Sequence, residues 1–435
     1  MRPSRGGYSL RELLLLTAAA AAALLRPRAA SAREVNLVRD CGGVGDGATY
    51  NDEAFARCLA LVGGAAGAGT VFVPPGRFLS GPFNVTRNGT TLLLAGNCTL
   101  VASPDTSRFP LIAPLPSLGQ CREYTTIERY SAFITIWNAS RVRISSNASV
   151  ADGDEPATLD GNGPIWWAAR SSKVLKNDPG AIVETMFSDS VEIDHLRVWW
   201  SPYWHVHPYA SSNIHIHDAD VSSFHQGPET DGVDPDCSHD VLIERVTIDT
   251  GDDAIAVKSG WDQIGIDFAH PSYNIVVRDS VLSTGANAFC MGSEMSGGVY
   301  NVSAVNITCL DVDTCFRLKS SLGRGGVIRD ISMRDSRIIG AGTAFDASDF
   351  YGGHPLPVNA SLVPTVGDAV IERVSGVLVE RAGFFAGLVQ RNISGIVMRD
   401  IVLDAPAGSW SCANVTGTFG NVTPTPCGNF SPEAK

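Results

Sequence analysis

The residues best equipped for chemistry lie in the second half of the chain. The segment Glu229-Thr230-Asp231-Gly232-Val233-Asp234-Pro235-Asp236 is followed by Gly251-Asp252-Asp253, with Asp252 twenty-one residues after Asp231. Carboxylates crowded into one small volume cannot all ionise easily, so one is pushed to a higher pKa and keeps its proton beside an ionised neighbour. That pair, a proton donor and a base, is what hydrolysis of a glycosidic bond requires. Asp and Gly are also the common residues of plain turns, so the chemistry depends on what brings Asp231 to the pair. Adjacent residues of a flat strand point to opposite faces; Asp252 and Asp253 can share one groove only at a bend, which Gly251 permits.

Cations follow downstream. Arg317-Leu318-Lys319 alternates, so both charges can face the same side. Lys258 and Arg324 could add to the patch. An acidic chain that gathers cations in one groove fits an anionic or sugar-acid ligand. Trp166, Trp167, Trp199, Trp200, Tyr203, Trp204 and Trp261 could stack on sugar rings or fill the core. His205, His207, His215, His217 and His225 lie in the same stretch without a recognised ligand spacing, so no metal is expected.

A repeat positions these groups. A polar residue opens each unit, at Ser190, Asn213, Asp240, Asn274, Asn301 and Asp330, and two short runs of alternating apolar and polar residues follow. Successive starts are 23, 27, 34, 27 and 29 residues apart. β alternation at a period of one coil reads as a solenoid whose coils bury their inner faces by stacking. The expected fold is all-β: one right-handed parallel β-helix over residues 33–435. A helix over residues 46–60 would cap its N-terminal end. Asp231 and the Asp252–Asp253 pair are then about one coil apart and lie side by side.

Composition narrows the class. At 435 residues, 44 % hydrophobic and 18 % charged, the chain is neither disordered nor short of core. A net charge of −12 argues against nucleic acid as a partner. Residues 1–32 combine Arg2, Arg5 and Arg11, an apolar run over residues 13–25 and Ala30-Ser31-Ala32, the three parts of a secretory signal peptide. Its removal takes away five Arg and one Glu, leaving 28 basic and 44 acidic residues and a net charge of −16. The mature chain is then expected outside the cell or in the cell wall, off the membrane, as a monomer. Ten Cys and twelve N-x-S/T sequons agree with that route. Cys309–Cys315 and Cys412–Cys427 are spaced as local loops, although spacing leaves the connectivity open.

The ordered segments Gly42-GVGDGATYND, Leu159-DGNGPIWW, Ser201-PYWHVHP, Thr230-DGVDPDCS, Thr250-GDDAIAVKSGWD, Gly292-SEMSGGVYNV and Arg317-LKSSLGRGG resemble the polygalacturonases of glycoside hydrolase family 28, especially plant-type members. The resemblance covers most of the mature chain. It implies a β-helix enzyme that hydrolyses α-1,4 bonds of galacturonan pectins with inversion and without a cofactor. It also implies that Asp252 is the general acid, that Asp231 and Asp253 activate water, and that Arg317 and Lys319 hold a substrate carboxylate. Inversion calls for an acid–base separation of roughly 6.5–9.5 Å. Lys258, Glu229 and His225 complete the candidate substrate-binding set. Where the family carries Asn two residues before its first Asp, this chain has Glu229, and residues 285–292 lack the family's His-Gly motif. His225, six residues before Asp231, is a candidate substitute. Two other readings remain: a wall-binding protein that keeps the fold with weak or no catalysis, and a Ca²⁺-dependent pectate lyase.

Overall fold

The computed structural model describes residues 33–62, 68–119, 128–149, 153–353 and 357–433. The leader segment and Cys121 lie outside these. Each turn of the chain lays one short strand on each of three faces. In one coil the strands are Asp189–Asp194, Leu196–Trp199 and Val206–Tyr209; in the next, Ser212–His217 and Asp220–Ser222 are followed by residues 233–236. Equivalent strands of neighbouring coils pair in parallel. From residue 272 on, the strands run through the corners almost unbroken, as in Ser272–Met291 and Val299–Lys319. This is the parallel β-helix that the repeat predicts.

The polar residue that opens each repeat has a definite conformational task. Ser190, Asn213, Asp240, Asn274, Asn301 and Asp330 all have φ between 53° and 57°. The left-handed region is costly for most side chains and is most readily visited by Asn and Asp. At these corners the side chains also bond from coil to coil: Asn213 donates to Asp189 at 2.6 Å, Asn274 to Asp240 at 3.0 Å and Asn301 to Asn274 at 2.6 Å.

Between corners, the inward residues form stacks along the axis. One runs Val191, Ile214, Val241, Ile275, Val302, Ile331, Ala369 and Ile396 in register. Another runs Val206, Val233, Ile255, Phe289, Phe316 and Phe345 beneath the third face. All of them are buried. At roughly 1.5–3 kcal/mol for each large apolar side chain, such stacks are the main force holding coil to coil.

The N-terminal helix is shorter than expected. Residues Asp46–Tyr50 form a strand against Gly76–Ser80, and the helix occupies Asp52–Val62. The cause is local. The Asp46 carboxylate accepts the N–H groups of Ala48 and Thr49, and Gly47 has φ of +74°, which together make a turn that excludes helix. The helix buries Ala54, Phe55, Cys58 and Val62 against the first coils, with the Phe55 ring stacked 4.6 Å from Phe83. Cys41–Cys58 ties it down, and both local disulfides, Cys309–Cys315 and Cys412–Cys427, are formed. Among the described residues, no helix is long and apolar enough to cross a membrane.

Candidate active site

The carboxylates collect on the outer side of the third face. Gly251 ends the strand Thr247–Thr250, and a Cβ there would sit 2.3 Å from the Gly227 carbonyl oxygen and 2.7 Å from that of Phe224. Only glycine lets the preceding coil's loop lie so close. Thr230 fixes that approach: its hydroxyl donates to the Gly227 carbonyl at 2.8 Å and accepts the Gly251 N–H at 3.1 Å. The chain bends here. The Asp252 carbonyl accepts the hydroxyls of Thr250 and Thr284, and the Asp252 carboxylate accepts the Asp253 N–H at 2.9 Å. Both Asp side chains therefore serve one groove, as the Gly251 bend allows.

Asp231 arrives from the coil before. Its carbonyl accepts the His205 N–H at 2.8 Å, and the buried His205 ring nitrogen Nδ1 lies 2.8 Å from the same oxygen. Burial pushes the His205 pKa down to about 4, so the ring is neutral there. One carboxylate oxygen each from Glu229, Asp231 and Asp252 lies within 4.8 Å of the others. The nearest oxygens of Asp231 and Asp252 are thus closer than the roughly 6.5–9.5 Å expected of an inverting pair.

The charges sort themselves. Burial and the neighbouring Asp253 raise the Asp252 carboxyl above its usual range. Burial also pushes Asp253 up, but Lys319 and Lys258 outweigh it and hold that carboxyl well below the usual range. Asp253 is further saturated with donors: Oδ1 accepts the Asn287 N–H at 3.2 Å and its Nδ2 at 2.5 Å, while Oδ2 accepts Lys319 Nζ and the Cys290 thiol. Burial and Asp234 raise Asp231, against the opposing pull of Lys258 at 3.3 Å. Asp234, buried with no hydrogen-bond partner on either oxygen, is pushed up by burial to about 8. The site therefore sets the raised carboxyls of Asp231, Asp234 and Asp252 against a depressed, ionised Asp253.

Of the predicted cations, only Arg317 is open to a ligand. It donates to Asn287 Oδ1 at 3.1 Å, lies 3.6 Å from Asp346 and sits 5.7 Å above the Tyr351 ring. Lys319 and Lys258 are 4 % and 3 % exposed. Lys319 is spent on Asp253, and Lys258 on Asp231 and Glu294 over the Trp204 ring. Both face the carboxylates, where the sequence suggested a ligand. Arg324 is not part of the patch. It is fully buried against Trp261, holding Asp262 and the Ser293 carbonyl.

Glu229, which departs from the family pattern, and His225, the candidate substitute, both have partners. Glu229, at φ of +55°, faces Arg170 of the helix Gly163–Ser171 at 3.6 Å. His225 Nε2 lies 2.5 Å from Asp249 and 3.4 Å from the Ser283 hydroxyl, so its ring is engaged beside the three Asp rather than with them. Two residues of 285–292 reach the cluster, Cys290 through its thiol and Asn287, and sequence reasoning passed over Asn287. An uncharged amide carries no titration signal, and only the register of the next coil could have pointed to it. Among the aromatics, Trp166 and Trp261 belong to the interior and Trp204 to the floor. Phe224 is 55 % exposed, its ring 4.4 Å from that of Trp200 and 6.2 Å from that of Trp167.

A stacked parallel coil carrying a raised and a depressed carboxyl side by side is the build of a glycoside hydrolase. The comparisons agree: residues 65–425 match the family described as "Glycosyl hydrolases family 28", and the chain belongs to that family. A "Probable polygalacturonase" of Vitis vinifera is 34 % identical over 411 residues, covering 91 % of this chain and 80 % of the relative. Among solved structures, a hyperthermoactive exopolygalacturonase from Thermotoga maritima superposes with a TM-score of 0.74 at 25 % identity, over 90 % of this chain and 91 % of that one. A polygalacturonase from Erwinia carotovora, at 20 % identity and a TM-score of 0.70 over 87 % and 96 %, shares the fold.

Proposed function

We propose that this chain is a secreted, monomeric enzyme that hydrolyses the α-1,4 galacturonosyl bonds of pectin in the cell wall, with inversion. The observation that carries the reading is the opposite shift of two adjacent carboxyls, Asp252 up and Asp253 down, in one groove. Asp252, whose carboxyl is raised, is the acid that gives its proton to the leaving glycosidic oxygen. Asp253, ionised, takes a proton from the attacking water, and Asp231 orients that water. Arg317 is the accessible cation for a galacturonate carboxylate, and Tyr351 beneath it offers a ring face. Arg170 offsets the charge that Glu229 adds beside the substrate. The relatives named above and the Arg317 position support galacturonan; the leader, sequons and disulfides support secretion.

The test is release of reducing ends from polygalacturonic acid by the purified protein, with the anomer of the first product read by NMR. Asp252→Asn should lower kcat by about 10²–10⁴-fold, and the first product should be the β-anomer. Pectin binding with no release of reducing ends would move the reading to a wall-binding protein. Unsaturated products formed only with Ca²⁺ would move it to a lyase.

A further inference from the structure

We propose that the outer side of the first face, away from the carboxylate groove, carries a binding site for a divalent cation of the zinc class, held by Glu192, His215 and His217. Glu192 and His215 are register partners on adjacent strands, Asp189–Asp194 and Ser212–His217, and His217 lies two residues further on the same side. One ligand atom from each of the three lies within 4.8 Å of the others. All three stand on paired strands of stacked coils, so the backbone fixes their spacing.

The ring of His217 is the centre of the arrangement. Its side chain is 10 % exposed, with Nε2 3.0 Å from Glu192 Oε1 and Nδ1 2.7 Å from Asp218 Oδ2. Asp218 is itself clamped by Arg245, two nitrogens at 2.9 Å each. A carboxylate on the far nitrogen of an imidazole fixes the tautomer and turns the other nitrogen's lone pair outward, the outer-shell device of metal-binding histidines. Here that lone pair meets a carboxylate oxygen. Two acceptors at 3.0 Å need a cation between them, either a proton or a metal ion.

His215 supplies the third donor, its ring centroid 4.0 Å from that of His217, and it is oriented by Glu244 at 3.2 Å. Glu244 is held in turn by Arg245 and Arg278. A second grouping, His195, His217 and Asp218, shares His217. Arg245 holds both Asp218 oxygens at 2.9 Å, whereas Arg143 meets only Oε2 of Glu192, at 3.5 Å, and leaves Oε1 toward the rings, so the Glu192 set is the better one. Two imidazoles and one carboxylate suit zinc with an open fourth position; magnesium and calcium favour all-oxygen sets. Because the ligands come from two coils, the ion would staple them and stabilise the folded state by mass action.

The test is zinc titration of the full protein by calorimetry at about pH 8, since metal binding competes with protons for the ligand nitrogens, with the thermal midpoint followed in parallel. One zinc per chain should bind and the midpoint should rise. His217→Ala and the milder Glu192→Gln should each weaken binding by about tenfold or more, with unchanged circular dichroism and unchanged hydrolytic activity. Asp252→Asn should bind zinc as the parent does. Absence of zinc binding, binding unaffected by either variant of the first face, or loss of binding in Asp252→Asn would each overturn the proposal. The last would place the ion in the carboxylate groove.

Discussion

Lys319 and Asp253 are ion-paired across 66 residues of sequence, both almost completely buried, at the base of the carboxylate groove. The pair sets the asymmetry of the site. Without the ammonium, only Lys258 and the Asn287 donors would oppose burial and the neighbouring Asp252, and the Asp253 pKa would rise. Lys319 is therefore a residue that keeps the base ionised, and its distance from solvent makes it effective, since buried charges are little screened.

Lys319→Met should lose activity by raising the Asp253 pKa, so the acidic limb of kcat against pH should move to higher pH. It should also destabilise the fold by about 3–5 kcal/mol, the usual cost of leaving a buried charge unpaired. A depressed carboxylate pKa contributes stability above its ordinary range that is lost as pH falls. The parent should therefore lose its advantage over Lys319→Met as the solution is acidified below about pH 4. Chemical denaturation at several pH values measures both effects. An unshifted acidic limb would separate Lys319 from the base.

Gly251→Ala tests the bend. The new Cβ would meet the Gly227 and Phe224 carbonyl oxygens at 2.3 and 2.7 Å, backbone atoms that cannot swing away. The strand end must shift, taking Asp252 with it. We expect about 1–3 kcal/mol of destabilisation and a loss in kcat larger than the change in KM, because a displacement of about 1 Å costs on the order of 10²-fold in a positioned site. Steady-state kinetics alongside a melting curve check this.

His225 and Asn287 can be told apart by substitution. His225 is engaged with Asp249 and Ser283, so His225→Ala should leave kcat and its pH profile unchanged. Asn287 donates twice to Asp253 and accepts from Arg317, linking base and substrate cation. Asn287→Ala removes the side-chain donor, so the Asp253 pKa should rise and the acidic limb move up. KM should also change as Arg317 loses its partner. The opposite pattern, with His225→Ala impaired and Asn287→Ala normal, would restore His225 as the substitute for the missing family histidine.

The fold was legible in the sequence because its signals are local. Ser190, Asn213, Asp240, Asn274, Asn301 and Asp330 stand at corners needing a left-handed residue, and polar side chains tolerate that position. The apolar alternation behind them is the inner stack. The site was legible in its carboxylates but not in its cations. Alternation assigns Arg317 and Lys319 to one side of a strand, yet says nothing of depth, and it is depth that turns Lys319 and Lys258 toward Asp253 and Asp231. The helix start failed for a different reason. Asp46 and Gly47 form a turn whose carboxylate competes for the N–H groups that a helix would use.

Asp234 yields a stability prediction of the opposite sign. Its carboxyl is buried with no hydrogen-bond partner on either oxygen and is pushed up to about 8. In the unfolded chain the same group ionises near the ordinary Asp value of about 4. A pKa raised on folding means that the folded state binds the proton more tightly, so this contribution to stability is complete below the unfolded value. It declines as pH rises and is lost by the time the folded value is passed. Asp234→Asn removes the titration while keeping size and polarity. The variant should therefore lose less stability than the parent between about pH 5 and 8, with an advantage of at least about 1 kcal/mol at pH 8. Lys258 loses its interaction with Asp234 in the variant but keeps Asp231 and Glu294 as charge partners. Denaturant melts of the two proteins across that pH range should give lines that diverge with rising pH. Parallel lines would mean that Asp234 is already ionised in the folded protein, and the proton would then have to be sought on Asp231.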